Sequence, residues 1–182
     1  MIAVMGMHRS GTSMVAGLLH HAGFKSRNTL DADKWNPPGY FEDVAVMRTN
    51  DVILWQNGRG AWDNPPEVIR EGIRQFPPVD LVKDPRFCIT WPAWDTEGVK
   101  VVKVLRDPSA ICESLSRRDG FDKKKALGLT WKYLTAMDTI EGLELHYEDL
   151  LEGEGIDKLS LYVGLRIPAD SIDPKLNRCG EV

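Results

Sequence analysis

The sequence predicts an α/β fold, with a central, mainly parallel sheet covered by helices in three layers. Three observations predict it. Short apolar segments of strand length occur at Ile2–Met5 (IAVM), Val79–Lys83 (VDLVK), Lys100–Leu105 (KVVKVL) and Leu143–His146 (LELH). Stretches of helical period separate them, and strands alternating with helices imply a parallel sheet packed on both faces. A glycine-bearing loop joins the first strand to the first helix, a junction suited to binding an anion.

Taken in order, Ile2–Met5 is a continuous apolar run and reads as a buried strand. Thr12–His21 follows as a helix, with Ala16, Leu19 and His20 at helical spacing and Gly23 as its stop. Residues 25–78 form a loop-rich insertion, marked by NPPGYFED (Asn36–Asp43) and a second NPP at 64–66, with one helix expected over Val44–Leu54. Val79–Lys83 is the second strand and Lys100–Leu105 the third. Asp107-Pro108 then opens a helix running to about Arg118, Asp as the cap and Pro at the first helical position. Further helices are expected at Lys123–Thr139 and Ile156–Val163, on either side of the strand Leu143–His146. No repeat, low-complexity stretch or linker divides residues 1–182, so a single domain is expected.

Composition narrows the function. A net charge of −4 argues against bulk nucleic-acid binding while leaving room for local basic sites. Apolar content of 42% and charged content of 27% are those of an ordinary globular protein. The apolar N-terminal run is broken by His8, Arg9 and Ser10, so neither a membrane span nor a signal peptide is expected. Cys88, Cys112 and Cys179 are odd in number, widely spaced and without a CxxC pair. They read as free thiols in a reducing compartment, and a cytoplasmic location is expected.

GMHRSGTS, Gly6–Ser13, has the spacing of a phosphate loop, G-x-x-x-x-G-x-S, but Thr12 stands where a nucleotide triphosphatase carries Lys. Gly6 and Gly11 let successive amides turn into one concavity at the start of a helix, which makes a P-loop-type fold the expectation. Ser10, Thr12 and Ser13 add hydroxyls, and Arg9 adds a permanent charge. Without the lysine, the main countercharge for a triphosphate is missing. A second element, Lys100–Arg118 (KVVKVLRDPSAICESLSRR), places Arg106 at the carboxyl end of a strand and Ser114 eight residues later on the next helix. Ligands of open α/β sheets sit at such strand ends, where an Arg can grip a phosphate. A surface ion pair with Asp107 or Asp119 is the plain alternative for Arg106.

Together these elements resemble the sulfotransferases that use 3′-phosphoadenosine 5′-phosphosulfate (PAPS). RSGTS (Arg9–Ser13) is similar to their 5′-phosphosulfate loop, and RDPSAICES (Arg106–Ser114) to their 3′-phosphate motif. LHYEDLLEG (Leu145–Gly153), LYVGL at 161–165, GYFED (Gly39–Asp43) and KDPR (Lys83–Arg86) resemble further stretches of bacterial and phage-type members, in collinear order. Asn177-Arg178-Cys179-Gly180 is a faint match to the family's C-terminal loop over the 3′-phosphate, with its Lys missing.

The resemblance implies PAPS as donor, no required metal, and a hydroxyl or amine acceptor on a small molecule or carbohydrate. It implies donor contacts from Arg9, Ser10, Gly11, Thr12, Ser13, Arg106, Ser114 and Arg178, with Arg9 also stabilising the leaving phosphate. Lys83 matches the lysine that many members place beside the transferring group; the residues alone equally allow a solvated strand-end lysine. The family's Lys-Thr-His pattern reads Lys83-Asp84-Pro85 here, so the proton acceptor falls to Glu42, preferred, or Asp84. His8, His20 and His21 read as packing or exposed residues. Trp35, Trp55, Trp62, Trp91 and Trp94 either stack on an acceptor or patch the core under the insertion. The rival readings are a nucleotide kinase or NTPase with Asp84 as its metal-holding carboxylate, and a non-catalytic nucleotide-binding module of the same fold.

Overall fold

The computed structural model describes residues 1–34, 36, 39–56, 60–69 and 72–168. Four strands, β1 (Ile2–Met5), β2 (Leu81–Lys83), β3 (Lys100–Leu105) and β4 (Leu143–His146), form an all-parallel sheet in the order β2-β1-β3-β4. In register, Val4 lies opposite Lys83 on one side and Val102 on the other, and Leu105 lies opposite His146.

Side chains leave a strand alternately on its two faces, and the core divides accordingly. Ile2, Val4, Leu81, Val102 and Val104 pack with Val15, Leu18 and Leu19 of α1 (Thr12–His21) on one face. Tyr147 and Leu150 of α6 (Tyr147–Leu151) and Leu159 of α7 (Ile156–Val163) complete that layer. Ala3, Met5, Val82 and Val101 meet the opposite layer. It is built from α2 (Val44–Gln56), α3 (Phe87–Thr90), α4 (Pro108–Asp119) and α5 (Lys123–Asp138). The expected three layers are therefore present.

Local chemistry sets the boundaries. Asp107 caps α4, its Oδ1 accepting from the amides of Ser109 (2.7 Å) and Ala110 (3.1 Å), and Gly120 closes that helix in the left-handed region at φ 68°. Asp43 starts α2 by accepting from the amides of Ala45 and Val46. The second strand is shorter than the sequence predicts. The Val79 amide turns back onto Pro77 O, and although Asp80 O accepts from the Ile2 amide at 2.8 Å, the register with β1 begins at Leu81. The short helices α3 and α6 have too few residues to show a helical period and are additions to the sequence reading.

Candidate functional site

Because β1 is followed in space by β2 on one side and β3 on the other, the connections diverge at the carboxyl ends of β1 and β3. A crevice at such a switch point is where open α/β sheets bind ligands. The 6–13 loop leaves β1 there, and Arg106 leaves β3 there.

The loop has the shape of an anion nest. Arg9 and Gly11 take positive φ, 72° and 95°, on either side of Ser10. The Ser10 amide donates to Met7 O, and Gly11 O accepts from Met14 and Val15 as α1 begins. Among the described residues, the amides of Gly11, Thr12 and Ser13 donate to no backbone carbonyl. They sit at the positive end of α1, which has no side-chain cap. Both glycines are required by close approach. A Cβ on Gly6 would stand 2.4 Å from Val104 O, and one on Gly11 would stand 2.3 Å from Cδ2 of Tyr147. Ser10 Oγ is buried without a hydrogen-bond partner among the described residues, which is costly unless something else satisfies it. Ser13 Oγ instead accepts from Asn36 Nδ2 at 3.0 Å, so the insertion seals one side of the loop.

The second element folds onto the first. Arg9 Nε donates to Ser114 Oγ at 2.9 Å, and Arg106 Nη1 donates to Arg9 O at 2.8 Å. The Arg106 guanidinium lies over the Tyr147 ring at 4.4 Å, and its Nε is 4.0 Å from Glu148 Oε1. Tyr147 thus touches both the nest glycine and the second arginine. Its place in the YEDL stretch was the only sequence signal for it. Burial, and next the neighbouring Arg118, push the Arg9 guanidinium below its ordinary pKa, with Asp119 partly offsetting them. It remains protonated, an incompletely compensated cation beside free amides. These residues fit a phosphate-like anion.

On the β2 side, Phe41 takes φ 56° and packs against Gly17 and His20 of α1. That anchor turns Glu42 toward the strand end, where it accepts from Lys83 Nζ at 2.6 Å. The Lys83 side chain is only 2% exposed, so it is no solvated strand-end residue. Asp84 is fully buried and saturated. Its Oδ1 accepts from the Arg86 amide (2.9 Å) and Nε (2.8 Å), and its Oδ2 from Arg86 Nη2 (2.7 Å) and Asn50 Nδ2 (2.8 Å). Arg86 also pairs with Asp51 and lies 3.9 Å from Glu42 Oε2. These carboxylates raise the Arg86 guanidinium further, against the effect of burial. Arg86 stands two residues from Asp84 in the KDPR stretch, where the sequence already suggests an ion pair. Asn50 carried no sequence signal, because its partner Asp84 lies on another element.

The tryptophans divide. Trp94 stacks on Phe76 at 4.4 Å and donates from Nε1 to Asn50 Oδ1. Trp62 lies on His8, ring centroids 4.3 Å apart, and stacks on Phe121. Trp55 is exposed. Arg178, Cys179 and Trp35 lie outside the described residues. Cys88 is a buried free thiol whose pKa burial pushes up to about 12.

Fold and site together define an α/β domain with an anion nest at its switch point and two arginines converging on it. No family model matches the chain, and no curated protein matches it. Among solved structures, the sulfotransferase domain of the Synechococcus PCC 7002 olefin synthase superposes with a TM-score of 0.53 at 14% identity. The match covers 100% of this chain and 80% of that one. At that identity the likeness is one of fold, which is sulfotransferase-like.

Proposed function

We propose that the protein transfers a sulfuryl group from PAPS to a hydroxyl or amine of a small-molecule or carbohydrate acceptor. The observation that carries this reading is the bond from Arg9 Nε to Ser114 Oγ at 2.9 Å, which unites two motifs 105 residues apart in one cationic crevice. A donor with two anionic groups matches two arginines, Arg9 and Arg106, brought together at these strand ends. The donor supplies an activated S–O bond, and the protein's part is positioning and charge stabilisation.

In this reading the amides of Gly11–Ser13 and Arg9 hold the 5′-phosphate and receive charge as it departs. Ser10 Oγ, without a hydrogen-bond partner among the described residues, bonds the same group. Arg106 and Ser114 hold the 3′-phosphate. Lys83 spends one ammonium proton on Glu42 and has two more for the group in transit. The saturated Asp84 organises Arg86 and Asn50 beneath the site.

Calorimetry without Mg²⁺ tests this, comparing 3′-phosphoadenosine 5′-phosphate (PAP), AMP and ATP. PAP should bind tightly and AMP roughly 30-fold or more weaker, the loss expected for one buried charge contact. Equal affinity for AMP removes the 3′-phosphate site, and no binding of PAP removes the reading altogether.

A further inference from the structure

We infer that His8, inside the anion nest, is the base that takes the acceptor's proton; this rests on the sulfuryl-transfer reading above. The starting observation is an orphaned atom. His8 Nε2 is closed off from solvent and has no hydrogen-bond partner among the described residues. A buried ring nitrogen without a partner is unusual and calls for a group that will satisfy it. Its neighbours cannot. The ring lies on Trp62 at 4.3 Å and meets Tyr133 edge-on at 5.7 Å, while the Tyr133 hydroxyl is committed to Trp62 O at 2.8 Å. An acceptor hydroxyl reaching this nitrogen would supply the missing donor.

The carboxylates nearby are already engaged. Asp84 accepts four hydrogen bonds, and Glu42 is held at 2.6 Å by the Lys83 ammonium with Arg86 beyond it. Proton uptake by either would break a buried ion pair. His8 is under the opposite constraint. It faces Arg9 from its own loop, Lys83 from the end of β2, Arg86 from the turn into α3 and Arg118 from α4. Tyr133 of α5 adds a phenol that burial keeps neutral. Burial first, then Arg86, Lys83, Arg118 and Arg9, hold the imidazole well below its ordinary pKa of 6.5, so it stands neutral and able to accept.

The same cations bind the donor. Anionic phosphates arriving on Arg9 offset the positive field at His8, so its basicity rises toward working pH only when the donor is in place. In the transfer, the acceptor oxygen forms the new O–S bond as its proton passes to Nε2. The bond from sulfur to the phosphate oxygen breaks, its electron pair leaving with PAP. His8 then returns the proton to solvent.

The test uses the full chain labelled with ¹⁵N-histidine, the His8 resonance being identified by its loss in His8→Gln. Without ligand, His8 should titrate well below its ordinary midpoint of 6.5; with PAP bound, its midpoint should move upward. In parallel, release of inorganic sulfate from PAPS to water is measured. His8→Gln should slow it by about 10²-fold or more, with PAP affinity by calorimetry within about twofold of wild type. A His8 resonance unmoved by bound PAP overturns the inference. So do equal release rates for wild type and His8→Gln, including no release by either. Release that survives His8→Gln but is abolished by Glu42→Gln hands the role to the carboxylate. Failure of the wild type to bind PAP sinks the sulfuryl-transfer reading itself, whereas binding with an inert His8 sinks only this step.

Discussion

Replacing Asp84 by Asn separates chemistry from architecture at this site. The change preserves shape but puts an amide where Oδ2 stood, facing two donors, Arg86 Nη2 at 2.7 Å and Asn50 Nδ2 at 2.8 Å. Hydrogen bonds to charged groups contribute about 1.5–3 kcal/mol each, so losing two costs roughly 3–6 kcal/mol. Breaking a buried ion pair by neutralising one partner costs about 3–5 kcal/mol, an independent route to the same range. Arg86 retains Asp51 and Glu42, but Asp51 is 58% exposed and Glu42 is already spent on Lys83, so compensation is partial. We expect a loss of about 3–4 kcal/mol, a large share of the roughly 5–15 kcal/mol typical of a domain. At about 2–4 °C per kcal/mol for this size, Tm falls by roughly 6–16 °C. Urea unfolding followed by circular dichroism, with an unchanged m-value, is the assay. PAP affinity measured where the variant is folded should stay within a few-fold. A stability loss under about 1 kcal/mol, accompanied by lost sulfate release, would refute the reasoning and make Asp84 a chemical group.

Arg106→Ala should weaken PAP by about 2–4 kcal/mol and Ser114→Ala by about 1 kcal/mol, with both chains folded; intact affinity in Arg106→Ala reduces Arg106 to a structural contact. Gly11→Ala must hold a side chain at φ 95° and displace Tyr147, so a loss of about 2 kcal/mol or more is expected along with weaker PAP binding. The control Gly23→Ala, at φ 111° with nothing within 4 Å, should lose only about 1 kcal/mol. His8 is held neutral in the fold, so below its ordinary 6.5 the unfolded chain binds a proton that the folded chain does not. Stability should fall with acidity there, by up to about 1.4 kcal/mol per pH unit from this group. His8→Gln should flatten that slope in urea melts between about pH 5 and 6.5; an unchanged slope removes the claim that the fold excludes imidazolium.

The elements most legible in the sequence are those specified locally. β1, α1, β3 and β4 appear with the bounds their apolar patterns predict, and α4 starts where Asp107 and Pro108 say it must. The cap and the proline act within three residues, so no distant information is needed. Val79 was read into β2 because a β-branched residue beside a strand looks like strand. A turn bond to Pro77 O decided otherwise. The ion-pair network at the end of β2 was half visible, through KDPR and GYFED. The pairing of Asp84 with Arg86 is local, two residues apart, whereas its bond from Asn50 depends on α2 packing beside that strand end, which no spacing encodes.

The sequence by itself determined the α/β class, the order of its elements and the two stretches, Gly6–Ser13 and Arg106–Ser114, that the fold brings together. Periodicity, capping and glycine placement are short-range physics. Only the tertiary structure decided the long-range pairings: Glu42 on Lys83, Asn50 on Asp84, and Arg9 with a serine for a partner. It also turned His8 from a loop residue into a neutral imidazole among cations, its Nε2 without a hydrogen-bond partner among the described residues. Burial and charge act through space, between groups that the chain separates by tens of residues, and they exist only once the layers have packed.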